Sequence, residues 1–120
     1  MFKRSDRELI MDMLVSCGRI LKYIRGLSYD DFYNNEIVSD AVVRNIEILG
    51  EAAKSVSGKI KNKYPEIPWN EIAKTRDKII HFYFGVDFSI IWDIATIDIP
   101  PLEKKLKAIL EQENWNQTSI

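Results

Sequence analysis

The sequence predicts an all-α protein, a four- to five-helix up-and-down bundle folded as one domain over residues 1–120. Three observations lead there. Apolar residues recur at three- and four-residue spacings along most of the chain, no stretch alternates as a strand would, and Gly or Pro punctuates the periodic runs. The length suits one hydrophobic core and is short enough for an active site to be shared between subunits.

The first helix starts where Ser5 and Glu8 form a capping-box pattern, and Leu9, Ile10, Met13, Leu14, Cys17, Ile20, Leu21 and Ile24 then make one stripe up to Gly26. Ser28 to Asn35 reads as a connector whose Tyr29, Phe32 and Tyr33 fold back on the core. A second helix is expected from about Ile37 to Ser57, with Gly58 at its end. Val42, Ile46, Leu49, Ala53 and Val56 form its main stripe, and Ala41, Ile48 and Ala52 widen it. Such a helix is expected to pack on more than one side and to leave apolar surface for a second copy of the chain, hence a homodimer. Opposite the stripe, Arg44, Glu47 and Glu51 share a narrow strip. Spacing alone favours a solvated face with Arg44 and Glu47 as a surface pair over a strip bordering a subunit interface or an active cleft.

After the basic stretch from Lys59 to Lys63, Pro65 and Pro68 block helix continuation, and Pro68 opens a third helix running to Tyr83 or Phe84 and ending at Gly85. Asp87 is expected to cap a fourth helix holding Phe88, Ile90, Ile91, Trp92, Ile94 and Ala95. Ile99-Pro100-Pro101 should break it, and Leu102, Leu106, Ile109 and Leu110 line a fifth. In the polar tail from Glu113, Trp115 is the residue fitted to dock on a partner.

Charged residues make up 29% of the chain and hydrophobic ones 46%, as in ordinary globular proteins. No apolar run approaches the roughly 20 residues of a membrane span. The first residues turn acidic and lack a secretory-signal pattern, so the expected location is cytoplasmic. A lone cysteine, Cys17, excludes an internal disulfide and a cysteine zinc cluster, and its place on an apolar stripe makes it a core thiol. The net charge of −1 excludes a broad basic surface and leaves room for a local cationic pocket.

The chemistry concentrates in Arg76-Asp77-Lys78-Ile79-Ile80-His81-Phe82-Tyr83, an R-x4-H-x-Y string holding the chain's only histidine. A guanidinium donates in a fixed fork and stays charged, which suits phosphate. An imidazole moves protons near neutrality. Together they suit cleavage of an RNA phosphodiester without metal or cofactor: His81 takes the proton of a ribose 2′-hydroxyl while Arg76 steadies charge on the phosphate. Five helical positions turn about 140°, so Arg76 and His81 share one phosphate only if the arginine wraps round or the helix end departs from regular geometry. Arg76 and Tyr83 differ by only about 20° and share a face. The structural alternatives are a carbonyl-bonded histidine, a core-rim tyrosine, and a salt bridge from Arg76 to Asp77 or Glu51.

The chain resembles the HepT-like toxin family of the HEPN superfamily. Two blocks carry the likeness most strongly, Ala41-Val42-Val43-Arg44-Asn45-Ile46-Glu47-Ile48-Leu49-Gly50-Glu51-Ala52-Ala53 and Trp69 through Asp87, and Trp92-Asp93-Ile94 with Asp98-Ile99-Pro100-Pro101-Leu102 also fits. The resemblance implies a dimeric bundle with a composite cleft and a metal-independent ribonuclease acting as the toxin of a toxin–antitoxin pair. It implies Arg76 and His81 as the catalytic pair and Asp77 as the polar residue that accompanies them. Tyr83 would be the tyrosine that an MntA-like nucleotidyltransferase antitoxin modifies with AMP. Arg44, Glu47 and Glu51 match recurrent family positions and take a supporting role at the interface or cleft. Against this stand a non-catalytic subunit that binds a nucleotidyltransferase or nucleotide, and a plain helical interaction module.

Overall fold

The computed structural model describes residues 3–81 and 87–115, with the side chains of Ile80 and His81 outside that description. Among the described residues there is no strand, and no helix is long and apolar enough to cross a membrane.

Helix α1 spans Asp6–Ile24 and opens with the expected capping box. Ser5 Oγ accepts the Glu8 N–H at 3.1 Å, and the Glu8 carboxylate accepts the Ser5 N–H at 3.0 Å. Its stripe is buried as the spacing requires, with Leu14 and Leu21 half-covered at the edges. Cys17 is fully buried, and burial pushes its thiol up to about 12, consistent with a core thiol. The chain turns at Gly26 with φ of 76°, a value a glycine adopts without strain.

The expected connector is instead a short helix, α2 (Tyr29–Asn34), because Ser28 and Asp31 form a second capping box. Phe32 enters the core, and Tyr33 stays exposed with its ring edge on Phe88. Asn35 then caps α3 (Glu36–Ser55), whose main stripe is wholly buried. Gly58 does not end this helix. Val56 turns to extended backbone and enters the core, and Ser57 caps a six-residue α4 (Gly58–Lys63). Ser57 is fixed from across the chain: its N–H and hydroxyl both donate to the Asp6 carboxylate, at 2.9 and 2.6 Å.

Helix α5 covers Trp69–His81, and its expected end at Gly85 lies outside the described residues. Asp87 caps α6 (Phe88–Asp93) as foreseen. The predicted break at Pro100-Pro101 does not occur. A π-turn over Ile94–Asp98 carries α6 into α7 (Ile99–Gln112), and the Ile99 N–H reaches the Ile94 carbonyl five residues back. The two prolines thereby fall in the first turn of α7, where their missing N–H groups are not needed. The fourth and fifth expected helices are thus one rod with a change of register.

The long helices run up and down. Asp6 of α1 meets Ser57 after α3, Arg7 donates to the Trp115 carbonyl beyond α7, and Gly18 faces Glu103. Helix α3 is the spine, covered by α1 on one side and α5 on the other. That position accounts within a single chain for much of the apolar girth that suggested a second copy. Trp115 packs half-buried against the chain's own core.

At the end of α7, Glu113 receives Lys63 at 2.6 Å and the Tyr64 hydroxyl. Lys63 and then Tyr64 hold the Glu113 carboxyl below the usual carboxylate range. A depressed folded-state pKa contributes stability above the unfolded value, and that contribution is lost as pH falls through the folded value. Glu113→Gln should therefore be less stable than the parent at neutral pH, with the difference vanishing below the usual carboxylate range. Denaturant titrations of both proteins across acidic pH will check this; a gap that persists at low pH would show that charge is not the cause.

Candidate functional site

Pro68 stands just before α5 and its carbonyl accepts the Ile72 N–H at 3.0 Å, while Trp69 anchors the start of the helix with its indole N–H on the Tyr64 carbonyl at 3.0 Å. From there Ile72 and Ile79 turn inward, and one face of α5 lies along α3. The crossing is tight at Gly50. A Cβ placed there would stand 2.9 Å from Arg76 Cβ and 3.0 Å from the Ile72 carbonyl oxygen. Both atoms belong to fixed parts of α5, so the approach requires glycine. The sequence reading did not single out Gly50. Its signal was a glycine within a 20-residue helix, at a cost of about 1 kcal/mol relative to alanine.

Gly50 thus sets the position of Arg76. The arginine Nε lies 2.9 Å from Glu51 Oε2, and Nη1 lies 3.7 Å from Asp77 Oδ1. Both carboxylates named as salt-bridge alternatives are therefore present, although 3.7 Å is too long for a hydrogen bond. With Glu51 and Asp77 exposed, these pairs contribute only about 0–1 kcal/mol to stability. Their importance lies in where they hold the guanidinium.

Arg44, Glu47, Glu51 and Arg76 line one open concavity of about 430 Å³, shared with Leu9 and Asp12 of α1 and with Arg4 just before it. Spacing favoured a solvated face for the α3 strip, and Arg44 and Glu51 are exposed; the same strip also floors an open groove. The expected Arg44–Glu47 surface pair does not form, since Arg44 has no ion-pair partner among the described residues and Glu51 serves Arg76. Arg4 is committed, with Nε and Nη2 on the two Asp12 oxygens at 2.8 and 2.9 Å. The cationic donors left for an anion are Arg44 and the terminal nitrogens of Arg76.

The His81 side chain and all of Tyr83 lie outside the described residues. The α5 backbone is helical through His81, so the geometric escape at the helix end does not begin before it, and the turn of about 140° between Arg76 and His81 stands. A larger hollow of about 710 Å³ between α5 and α6 has Ile79, Ile90, Ile91 and Ile94 on its walls and Lys74 and Lys78 at its rim. It excludes Arg76, and its apolar walls do not suit a phosphate. Among the described residues no group of three or more His, Cys, Asp or Glu side chains is placed to hold a metal ion.

If the α3–α5 crossing is as close as Gly50 implies, Gly50→Ala should cost about 1–3 kcal/mol from overpacking, offset by roughly 1 kcal/mol of helix propensity, and should push Arg76 outward. Thermal and denaturant unfolding will measure the net loss. A variant more stable than the parent would contradict the crossing.

Comparison with known proteins gives the family. The family profile described as ribonuclease HepT-like matches residues 13–109. "Putative RNase TTE0752" of Caldanaerobacter subterraneus subsp. tengcongensis is 39% identical over 110 residues, covering 92% of this chain and 98% of the relative. "Putative RNase MJ1216" of Methanocaldococcus jannaschii is 39% identical over 119 residues, covering 98% of each. "Probable ribonuclease HepT" of Thermococcus cleftensis is 38% identical over 107 residues, covering 89% of this chain and 97% of the relative. No solved structure matches the chain. The matched span includes α3 with its charged strip and all of α5, and the chain belongs to the ribonuclease HepT-like family.

Proposed function

We propose that this protein is a metal-independent endoribonuclease that serves as the toxin of a toxin–antitoxin pair in the cytoplasm. One observation carries the reading: Arg76 stands in a groove with Arg44, and its terminal nitrogens make no hydrogen bond to the described residues, with Asp77 3.7 Å from Nη1. The printed names of the relatives point to the same chemistry.

In the proposed reaction the His81 imidazole takes the proton of a ribose 2′-hydroxyl. The 2′-oxygen attacks phosphorus, the bond to the 5′-oxygen breaks, and a proton donor completes the leaving hydroxyl, giving a 2′,3′-cyclic phosphate end. Arg76 binds the non-bridging oxygens as charge builds on them. Because a regular α5 turns His81 away from Arg76, the reading includes a homodimer whose composite cleft brings the two motifs together. Asp77, Glu47, Glu51 and Arg44 have supporting roles around that phosphate.

Silencing would fall to an MntA-like nucleotidyltransferase partner that transfers AMP to Tyr83. The phenol oxygen forms the new bond to the α-phosphorus of ATP, and pyrophosphate leaves. The added phosphate places a negative charge beside Arg76, where it would compete with RNA for the same cation.

The test uses partner-free protein and its His81→Ala variant with total cellular RNA in excess chelator, reading the products and their ends. Cleavage with cyclic phosphate ends, lost in the variant and falling on acidification as the imidazole protonates, is expected. If neither protein cuts and mass spectrometry shows Tyr83 unmodified, the better reading is a non-catalytic subunit that binds the nucleotidyltransferase or a nucleotide, with Arg76 held by Glu51 for structural reasons.

A further inference from the structure

We infer that Glu51 is the positioning residue for Arg76, acting with Gly50 as one device that presents the terminal guanidinium nitrogens to a phosphate. The inference rests on the nuclease reading for its substrate and on geometry for its mechanism.

The two arginines that face each other across the groove are held differently. Arg4 gives Nε and Nη2 together to Asp12, a side-on pairing, while its Nη1 lies 3.7 Å from Glu8. That guanidinium commits both Nε and Nη2 to one carboxylate. Arg76 has Nε in ion-pair contact with Glu51 Oε2 at 2.9 Å, without the alignment of a hydrogen bond, and its one other ion-pair contact is the 3.7 Å approach of Asp77 to Nη1. A guanidinium anchored through Nε keeps its Nη1–Nη2 edge open, and that edge is the fork matching two oxygens of a phosphate.

The anchor is built at both ends of the side chain. Gly50 lets Arg76 Cβ come within 2.9 Å of where a Cβ would sit on α3, which fixes the root of the arginine. Glu51, the next residue of α3, fixes its tip. One turn of one helix therefore supplies both the clearance and the carboxylate. The Glu51 side chain is 59% exposed, so water screens the pair and little fold stability depends on it. A contact of small stabilising value can still remove the wandering of a long side chain before substrate arrives, and placement within a fraction of an ångström is what phosphoryl-transfer geometry rewards.

Glu51 also has an opposite effect, since its negative charge weakens attraction for the same phosphate. The two effects part under substitution. Glu51→Gln keeps a polar oxygen beside Nε and removes the charge; Glu51→Ala removes both. Positioning predicts that Glu51→Ala lowers kcat, by up to about 100-fold, while Glu51→Gln retains most of it with a KM no higher than the parent. A purely repulsive carboxylate predicts that both variants lower KM and leave kcat unchanged, and that outcome overturns the proposal.

The experiment is steady-state cleavage of one defined RNA oligonucleotide by the parent, both Glu51 variants and His81→Ala, paired with NMR of the Arg76 Nε–Hε signal. Slow exchange of that proton in the parent and Glu51→Gln, and fast exchange in Glu51→Ala, is expected; equal exchange in all three overturns the anchor. If the parent cuts no faster than His81→Ala, the nuclease reading fails and the inference is judged separately with inorganic phosphate. A phosphate-induced shift of the Arg76 signal in the parent and Glu51→Gln, absent from Glu51→Ala, would uphold it. An equal response in all three would overturn it.

Discussion

The closeness of α3 and α5 at Gly50 is the constraint on which the rest of the site depends. Because no Cβ stands there, the α5 backbone reaches α3 and Arg76 begins its path against the spine of the bundle. Any larger residue would lift α5, and with it the motif. The spine is itself held in place: Asp6 at the start of α1 takes both donors of Ser57 just beyond α3. The Arg76 position is thus set by a chain of contacts from one end of the protein to the other.

The long helices were legible because their signals are local. The buried stripe of α1, the stripe of α3 and the Asp87 cap need only spacing and side-chain chemistry within a few residues. Where the reading went astray, the cause was a different local option or a distant contact. Ser28 and Asp31 made a helix where aromatic, polar composition suggested a connector, and that capping box could have been read. Gly58 starts α4 rather than ending α3, and the Asp6–Ser57 contact that fixes this corner joins residues 51 positions apart. The prolines at 100 and 101 continue a helix because a π-turn precedes them, and periodicity gives no warning of an added residue.

The site divides the same way. The motif string is plain in the sequence, and azimuth alone grouped Arg44, Glu47 and Glu51. Azimuth does not say what lies opposite a strip, and only the packing of α1 and α5 on either side of α3 turns it into a groove. Gly50 has no chemistry of its own and becomes informative only when its neighbour is Arg76. A net charge of −1 is also easier to reconcile with an anionic substrate at this level of detail. Arg4 is neutralised by Asp12, while Arg44 and the fork of Arg76 remain available. The groove also holds Glu47 and Glu51, so its three arginines and three carboxylates balance, and attraction for a phosphate rests on where single guanidinium groups stand and not on net charge.

The central claim is that the groove over α3, rather than the larger hollow between α5 and α6, receives RNA. The most direct measurement is an NMR footprint of a short 2′-deoxy oligonucleotide, which lacks the attacking hydroxyl and so binds without being cut. The account predicts shifts at Arg44, Glu47, Glu51 and Arg76 that fade with added salt. Shifts confined to Ile79, Ile90 and Ile94, with Arg76 unmoved, would contradict it.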